Sequence, residues 1–337
     1  MKRSLAAISM ALVVAALTAW PVSARSSLVV LGTLGGLESY GGGINDAGDV
    51  VGGSSTGAPS FHMHAFLSRG GAMIDLGTLG GAHSQGFAIN SRGQVVGGSM
   101  RDELSDYHAF FWDDGVMSGL GTADEIWSVA VDINDRGQIV GSQTSASGVT
   151  SAVLWESGGM SNLGTLGGLH GSATSINNRG QIVGASERAD GDGWRATLWD
   201  HGTVTDLGTL GGTWSGASAV NDNGWIVGQS ETASGETHAF LWQRGVLTDL
   251  GVLGGTSFVV HGINDRGQIV GTLWLGNEFN DQHAFLWEDG VTTDLGTRED
   301  GFRSEATGIN HRGQIIGWSD TGGPDGRMDI KAVIWTR

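Results

Sequence analysis

The nine residues INDRGQIVG at 133–141 carry the main structural signal, because the chain repeats them with few changes. Near-copies stand at 176–184 (INNRGQIVG), 263–271 (INDRGQIVG) and 309–317 (INHRGQIIG). Ile and Val favour strands, whereas Asn, Asp and Gly favour tight turns. The motif therefore predicts a short β-hairpin that recurs along the chain.

Two further markers recur with the hairpin. A run such as HAFLW follows each copy, from HAFLS at 64–68 to KAVIW at 331–335. The run LGTLGG, or a remnant of it, precedes each copy at intervals of 43 to 45 residues. It begins at Leu31, Leu76, Leu120, Leu163, Leu207, Leu250 and Leu295. The chain thus contains seven repeats, each with four strand-like runs.

Four antiparallel strands in about 44 residues are typical of a propeller blade. In both hairpins of a repeat, Gly is the third loop residue, which predicts a type I turn closed by a left-handed glycine. An open β-solenoid is the alternative, but it would need polar caps at both ends. The last repeat ends after its third strand, and SLVVLG at 27–32 precedes the first repeat. We therefore predict an all-β, seven-bladed β-propeller whose N-terminal strand completes blade 7.

Residues 1–24 have the pattern of a cleaved signal peptide. Lys2 and Arg3 precede an apolar run that ends before Pro21, and Ala24 closes a small-residue cleavage pattern. The alternative, an uncleaved anchor, needs a longer apolar run. We expect a single domain at 25–337 that is secreted, to the periplasm or beyond, and is a monomer without membrane contact.

The charge and the cysteine content limit the partners that we expect for this chain and the way in which its fold is stabilised. The chain has 35 acidic and 18 basic residues, a formal net charge of −17, and no cysteine. Such a charge repels nucleic-acid phosphates and anionic lipids, so neither is an expected partner. An exported protein without cysteine forgoes disulfides and depends on its core.

Tandem units with LGTLGG, IN-x-x-GQ-VG and HAFLW resemble the HAF-repeat family of extracellular bacterial proteins. The resemblance covers residues 27–337 and recurs in all seven repeats. It implies export and a propeller-like repeat, and it implies no particular biochemical activity.

The histidines that open the HAF strands suggest a metal site at first sight. They are His64, His108, His238 and His283. Each is followed two positions later by Phe, whereas Val153, Thr197 and Val333 stand in the repeats that lack the histidine. Metal binding gives no reason for this pairing, and packing on one strand face does. We expect buried, hydrogen-bonded histidines and large tryptophan fillers between blades.

The two faces of the predicted propeller differ. The turn face carries the hairpin turns, including Arg92, Arg136, Arg179, Arg266 and Arg312, which we expect to pair with acidic turns such as Asp113 and Glu288. The loop face carries the blade-linking segments and the loops between second and third strands. These loops vary in sequence and are rich in acidic residues, so we expect binding there.

One variable position on the loop face is the strongest candidate site. It lies seven residues before each Ile-Asn asparagine or its equivalent, and Ser or Gly follows it in six of seven repeats. The predicted ligand ring comprises Glu38, His83, Trp127, His170, Trp214, Ser257 and Arg303. Mixed aromatic and polar groups around a channel mouth could bind an extracellular glycan, peptide or protein.

Other functions have weaker sequence support. Calcium is an alternative at 187–194 and 320–329, where acids cluster with glycines without the full EF-hand spacing, so no cofactor is expected. The chain has no nucleophile elbow, HExxH motif or phosphate loop. A polysaccharide lyase or hydrolase using Glu38, His83 and His170 is the alternative to a binding module. A structural surface protein with only protein partners is the third interpretation.

Overall fold

A computed structural model describes residues 27–58, 62–103, 106–122, 125–191, 193–276, 281–299, 301–321 and 329–336. Over these residues the chain forms 28 β-strands in seven four-stranded antiparallel sheets. None of these residues belongs to a helix that could cross a membrane. The predicted signal peptide at 1–24 lies outside the described residues.

Each sheet is one blade, and the first strand of each repeat lies innermost. The N-terminal strand is β1 (Ser27–Val30). Blade 1 contains β2 (Gly35–Ile44), β3 (Val50–Thr56), β4 (Met63–Arg69) and β5 (Ala72–Asp75). Blade 2 contains β6 (Ser84–Ile89), β7 (Val95–Met100), β8 (Tyr107–Asp113) and β9 (Val116–Gly119). Blade 3 contains β10 (Glu125–Ile133), β11 (Ile139–Ser145), β12 (Thr150–Glu156) and β13 (Gly159–Asn162).

The remaining four blades follow the same order. Blade 4 contains β14 (Gly167–Ile176), β15 (Ile182–Arg188), β16 (Trp194–Asp200) and β17 (Thr203–Asp206). Blade 5 contains β18 (Gly211–Val220), β19 (Ile226–Thr232), β20 (Thr237–Gln243) and β21 (Val246–Gly251). Blade 6 contains β22 (Ser257–Ile263), β23 (Ile269–Trp274), β24 (Gln282–Glu288) and β25 (Val291–Asp294). Blade 7 contains β26 (Ser304–Ile309), β27 (Ile315–Ser319) and β28 (Lys331–Thr336).

The N-terminal strand completes blade 7, as predicted. Its sheet has the order β1-β28-β27-β26, and β1 pairs antiparallel with β28 from Ser27↔Thr336 to Val30↔Val333. The backbone groups of β28 that would otherwise form an open edge are therefore paired. The fold is a seven-bladed β-propeller with four antiparallel strands per blade.

The two kinds of hairpin use different turns. In the inner hairpins the glycine alone has a positive φ, for example 81° at Gly137, and its N–H donates to the Asn134 carbonyl, as expected for the predicted type I turn. The prediction is wrong for the outer hairpins. There two consecutive residues have a positive φ, such as Asp289 (50°) and Gly290 (83°), between the paired residues Glu288 and Val291. A two-residue turn with two positive φ values is type I′, which fits the twist of the strands.

A closed ring of hydrogen bonds joins the seven inner hairpins. In each blade the asparagine that follows the innermost strand donates from Nδ2 to the backbone carbonyl of the equivalent asparagine in the next blade, at 2.9–3.2 Å. The ring comprises Asn45, Asn90, Asn134, Asn177, Asn221, Asn264 and Asn310. Each Oδ1 also accepts two backbone N–H groups of its own turn, as Asn177 does from Arg179 and Gln181. One buried side chain thus closes a turn and fixes the neighbouring blade.

The turn-face arginines do not form the expected pairs with acidic turns among the described contacts. The acidic residues accept instead from the glutamine of the GQ motif, as Asp113 does from Gln94 (2.9 Å) and Glu288 from Gln268 (2.8 Å). Arg92 and Arg136 extend over the turn glycines of the next blades, and Arg179 donates to the Asp222 carbonyl. The motif is therefore a hydrogen-bonding unit in which glutamine links asparagine to the outer turn.

A second link between blades uses serine and explains the alanine of the HAF motif. In five blades a serine near the start of the innermost strand accepts the N–H of that alanine in the preceding blade, at 2.8–3.0 Å. These serines are Ser39, Ser84, Ser128, Ser215 and Ser304. The HAF phenylalanines, including Phe66 and Phe110, are fully buried. The second glycine of GQIVG has no room for a side chain, because a Cβ on Gly184 would lie 2.0 Å from the Ser172 carbonyl oxygen.

The HAF histidines are hydrogen-bonded, but three of them are less buried than predicted. His64, His238 and His283 are 20–21% exposed, and each places Nδ1 against an aspartate on the neighbouring outer strand. His108 alone is buried, and its Nδ1 lies 3.0 Å from the buried Glu125. Gly119 stands in blade 2 where the other three blades with a HAF histidine have this aspartate, so Glu125 of blade 3 supplies the carboxylate.

We predict that the asparagine ring contributes strongly to stability. Asn177→Ala removes one buried interblade donor and leaves two part-buried N–H groups without their acceptor, which should lower the free energy of unfolding by about 2–4 kcal/mol. Equilibrium urea unfolding measures this loss. Asn162→Ala is the matched control, because its hydrogen bonds are exposed, and it should cost less than about 1 kcal/mol. Equal losses for the two variants would contradict the role of the ring.

We also predict a pH-dependent contribution from His283 and Asp294. The hydrogen bond to Asp294 raises the pKa of His283 above its usual value, although burial opposes this. The pair therefore stabilises the fold fully below the unfolded pKa of histidine, and the contribution is lost as the pH rises through the folded pKa. Asp294→Asn keeps an acceptor for neutral histidine and should destabilise more at pH 5.5 than at pH 8.5 in urea unfolding. A loss that is independent of pH would refute the charge effect.

Candidate functional site

On the loop face, the innermost strands bulge away from their sheets. In β14, Gly167 pairs with Arg188 and Gly171 with Ser186, so three residues of β14 lie opposite Glu187 alone. The Glu187 carboxylate holds this bulge by accepting the N–H groups of Leu169 (3.2 Å) and His170 (3.1 Å). Such a bulge redirects the side chains that it carries.

Blades 1 and 5 have the same three-residue bulge, and blade 7 has equivalent contacts at the two residues directly before β26. In blade 5, Glu231 accepts the N–H of Thr213 at 2.6 Å. In blade 7, Asp320 accepts the N–H groups of Phe302 and Arg303, both at 2.8 Å. The acidic residues of this face therefore have a structural role in addition to their charge.

The residue directly before the predicted ring position lies in one of these bulges, in a one-residue bulge of β10, or just before β26, and it is apolar and exposed in four blades. Leu37, Ile126, Leu169 and Phe302 are 67%, 49%, 70% and 56% exposed. We call these four residues the apolar crown. The apolar crown was not predicted from the sequence. Its four residues nevertheless share one repeat position, directly before the predicted ligand ring, and this shared apolar position could have indicated them.

The seven residues of the predicted ring lie at the loop-face ends of the innermost strands, but not around the central channel. The described channel has a volume of about 300 Å³ and is lined by residues four to six positions further along, such as Asp132, Ser175 and His261. Burial raises the pKa of Asp132, although hydrogen bonds from Ile176, Ser175 and Ile133 oppose this. The ring residues instead face the gaps between blades.

Glu38 and Arg303 come together across the junction of blades 1 and 7. Tyr40 donates its hydroxyl to Glu38 (3.2 Å) and packs edge-on against Trp318, with ring centroids 5.9 Å apart. Arg303 lies over the same indole at 5.8 Å and pairs with the buried Asp320 (3.1 Å). Burial, followed by the Glu38 charge, raises the pKa of Tyr40 to about 12. The cluster makes this junction a rigid part of the loop face.

His83 and His170 are held by the preceding blades. His83 Nδ1 accepts the N–H of Met63 (3.0 Å), and His170 Nδ1 accepts that of Thr150 (3.2 Å). Burial lowers the pKa of His83, and the neighbouring His62 and His64 lower it further. Each imidazole therefore has a local structural partner, and Glu38 lies in a different blade from both histidines.

The structure brings Trp214 and Ser257 into one cleft between blades 5 and 6. Trp127, the other tryptophan of the predicted ring, lies in blade 3 on β10 and is not part of this cleft. The cleft has a volume of about 570 Å³ and is also lined by Glu236, Val252 and Phe258.

The proposed calcium loops use their described acids for other contacts. Asp190 pairs with Arg188 (2.8 Å), and Asp329 pairs with Lys331 and Arg298. Residues 192 and 322–328 lie outside the described part of the chain, so calcium binding stays a prediction.

A different group of metal-ligand side chains lies on the turn face. Asp222, Asp265 and His311 place one ligand atom each within 4.8 Å of one another at the channel mouth. His311 also lies 3.5 Å from Asp46. Its Nε2 lies 3.7 Å from Asp265, so contacts between the imidazole and these carboxylates account for the arrangement without a metal.

Comparison with known proteins supports the fold alone. No family model and no curated protein matches the sequence, so the resemblance to HAF-repeat proteins stays a prediction. A Mycobacterium tuberculosis puromycin-hydrolyzing peptidase is 14% identical with a TM-score of 0.57, and the match covers 91% of this chain and 51% of that one. Pyrococcus horikoshii acylaminoacyl peptidase is 12% identical with a TM-score of 0.54, covering 88% and 51%.

A third solved structure, YCF48 bound to D1 peptide, is 11% identical with a TM-score of 0.51. That match covers 94% of this chain and 97% of the other. The chain thus spans about half the length of the two peptidases and nearly the whole of YCF48. What these proteins share with the chain is a propeller.

Proposed function

We propose that the protein is an exported binding module that docks a protein or peptide segment on its acidic loop face. The observation that carries the proposal is the apolar crown: Leu37, Ile126, Leu169 and Phe302 are large, exposed and repeated at one position. Exposed apolar side chains grouped on one face are typical of interaction surfaces.

The charge around the crown favours a basic partner. Glu187 and Glu231 accept backbone N–H groups at the loop-face ends of the second strands, and Glu236 lies exposed in the following loop of blade 5. Hydrogen bonds from Thr213 lower the pKa of Glu231, so that carboxylate stays ionised at neutral pH. A segment that combines basic and apolar residues would complement this surface.

Glycan binding and catalysis have less support from the geometry. Crown residues are mostly aliphatic, whereas a sugar is usually held by aromatic faces and convergent hydrogen bonds. Glu38, His83 and His170 belong to three different blades and already bond to neighbouring groups. A polysaccharide-active enzyme therefore stays the alternative, and export rests on the signal-peptide pattern alone.

Selection from a random peptide library displayed on phage tests the proposal directly. The mature chain should enrich peptides in which Arg or Lys alternates with large apolar residues. The triple variant Leu37→Ser, Leu169→Ser, Phe302→Ser should lose this enrichment, because it removes the exposed apolar contacts and leaves the fold intact.

The matched control replaces three exposed valines away from the loop face. Val116, Val246 and Val291 are similarly exposed, and each begins an outer strand next to an outer hairpin turn. Their replacement by serine should leave the enrichment unchanged. Equal enrichment on both triple variants, or enrichment only on a glycan array, would overturn the proposal.

A further inference from the structure

The cleft between blades 5 and 6 has a composition of its own within the loop face. Trp214 lies on β18 of blade 5, and Glu236 lies in the loop that follows β19. Val252, Thr256 and Ser257 come from the linker and the first residue of blade 6. An indole, a carboxylate and an aliphatic side chain therefore border one cavity of about 570 Å³.

Blade 6 departs from the repeat at this cleft. Phe258 occupies the position where five other blades have the serine that bonds the preceding blade, and a phenyl ring cannot accept that N–H. Phe258 is buried and packs into the core with Ala239 of blade 5.

The start of β22 also lacks the loop-face bulge. Ser257 pairs with Trp274 and Phe258 with Leu273 in continuous register. In β18, by contrast, Gly211 pairs with Thr232 and Ser215 with Ser230, so a three-residue bulge carries Trp214. One wall bulges away from its sheet while the other stays in register, and the cleft lies between them.

The polar groups in and near the cleft differ in the hydrogen bonds that they already make. Near the cleft, Glu231 Oε2 accepts both the N–H and the hydroxyl of Thr213, at 2.6 and 2.7 Å. Gln229 donates to the Phe258 carbonyl (3.0 Å). Glu236 is exposed, and its Oε2 accepts from Ser234 at 3.0 Å, whereas its Oε1 has no partner among the described residues. Glu236 is therefore the carboxylate best placed to bind a ligand.

We propose that this cleft binds an arginine side chain of the segment docked on the loop face, an inference that rests on the proposed function. A guanidinium stacks on an indole face and donates to a carboxylate at the same time. Its methylenes would lie along Val252. Lysine can supply the charge but not the planar stacking, so the cleft should distinguish the two cations.

A capped Gly-Arg-Gly tripeptide is the direct probe. We expect saturable binding to the mature chain in isothermal titration or ligand-observed NMR. The isosteric citrulline tripeptide, which is neutral, should bind about tenfold more weakly or not at all. The lysine tripeptide should bind about threefold more weakly than the arginine one. Binding of citrulline equal to that of arginine would overturn the proposal.

Variants locate the binding. Trp214→Ala and Glu236→Gln should each weaken arginine binding about fivefold to tenfold. Trp127→Ala is the matched control, because Trp127 holds the same ring position in a blade without this cleft, and it should bind like the unmodified chain. Unchanged thermal unfolding would confirm that each variant folds. Equal losses for Trp127→Ala and Trp214→Ala would place the site elsewhere.

The crown variant separates this inference from the proposed function. The serine triple variant should bind the arginine tripeptide normally, since none of its changes lines the cleft. Crown-dependent peptide selection without arginine binding would overturn the cleft alone. Arginine binding that depends on Trp214, without any crown-dependent selection, would overturn docking on the crown and leave the cleft as an isolated site.

Discussion

The asparagine ring is the constraint on which the other parts of the structure depend. Seven side chains each close their own turn and bond the next blade, and the last bond joins Asn310 to Asn45 across the whole chain. Because the ring closes, every blade must hold nearly the same angle and distance to its neighbour. A change at one asparagine alters contacts in two blades. This explains why the motif around the asparagine varies little between repeats.

This rigid turn face leaves the loop face able to vary. The bulges begin at the opposite ends of the innermost strands, where no ring of equivalent bonds must close. Different blades hold them with Glu187, Glu231, Asp320 or the hydroxyl of Ser55. Carboxylates are effective here because each can accept two neighbouring N–H groups. The negative charge of the face and the exposure of the crown therefore have a common structural origin.

Positions at which one blade departs from the repeat show which contacts the repeated residues make in the other blades. Phe258 replaces a linking serine and lines a cleft beside Trp214. Gly119 removes an aspartate, and Glu125 of the next blade takes its place beside His108. In blade 1, Asp49 and Arg69 replace the glutamine and the acidic residue of blades 2, 3, 4 and 6 and pair at 2.9 Å. Each exchange preserves or breaks one contact within or between blades, so a repeat position is best interpreted together with its partner.

Sequence alone established the number of blades, their phase and the closing strand, because these follow from spacing and from local strand and turn preferences. It also identified the seven variable positions of the predicted ring, but not that they lie outside the channel lining, and ligand binding by them stays a prediction. The outer type I′ turns, the glutamine links and the partial exposure of the histidines were not foreseen, since each depends on geometry across a hairpin. The crown and the cleft required the tertiary structure. Their residues meet through bulges and neighbouring blades, and a pattern along one strand does not determine which side chain a bulge exposes.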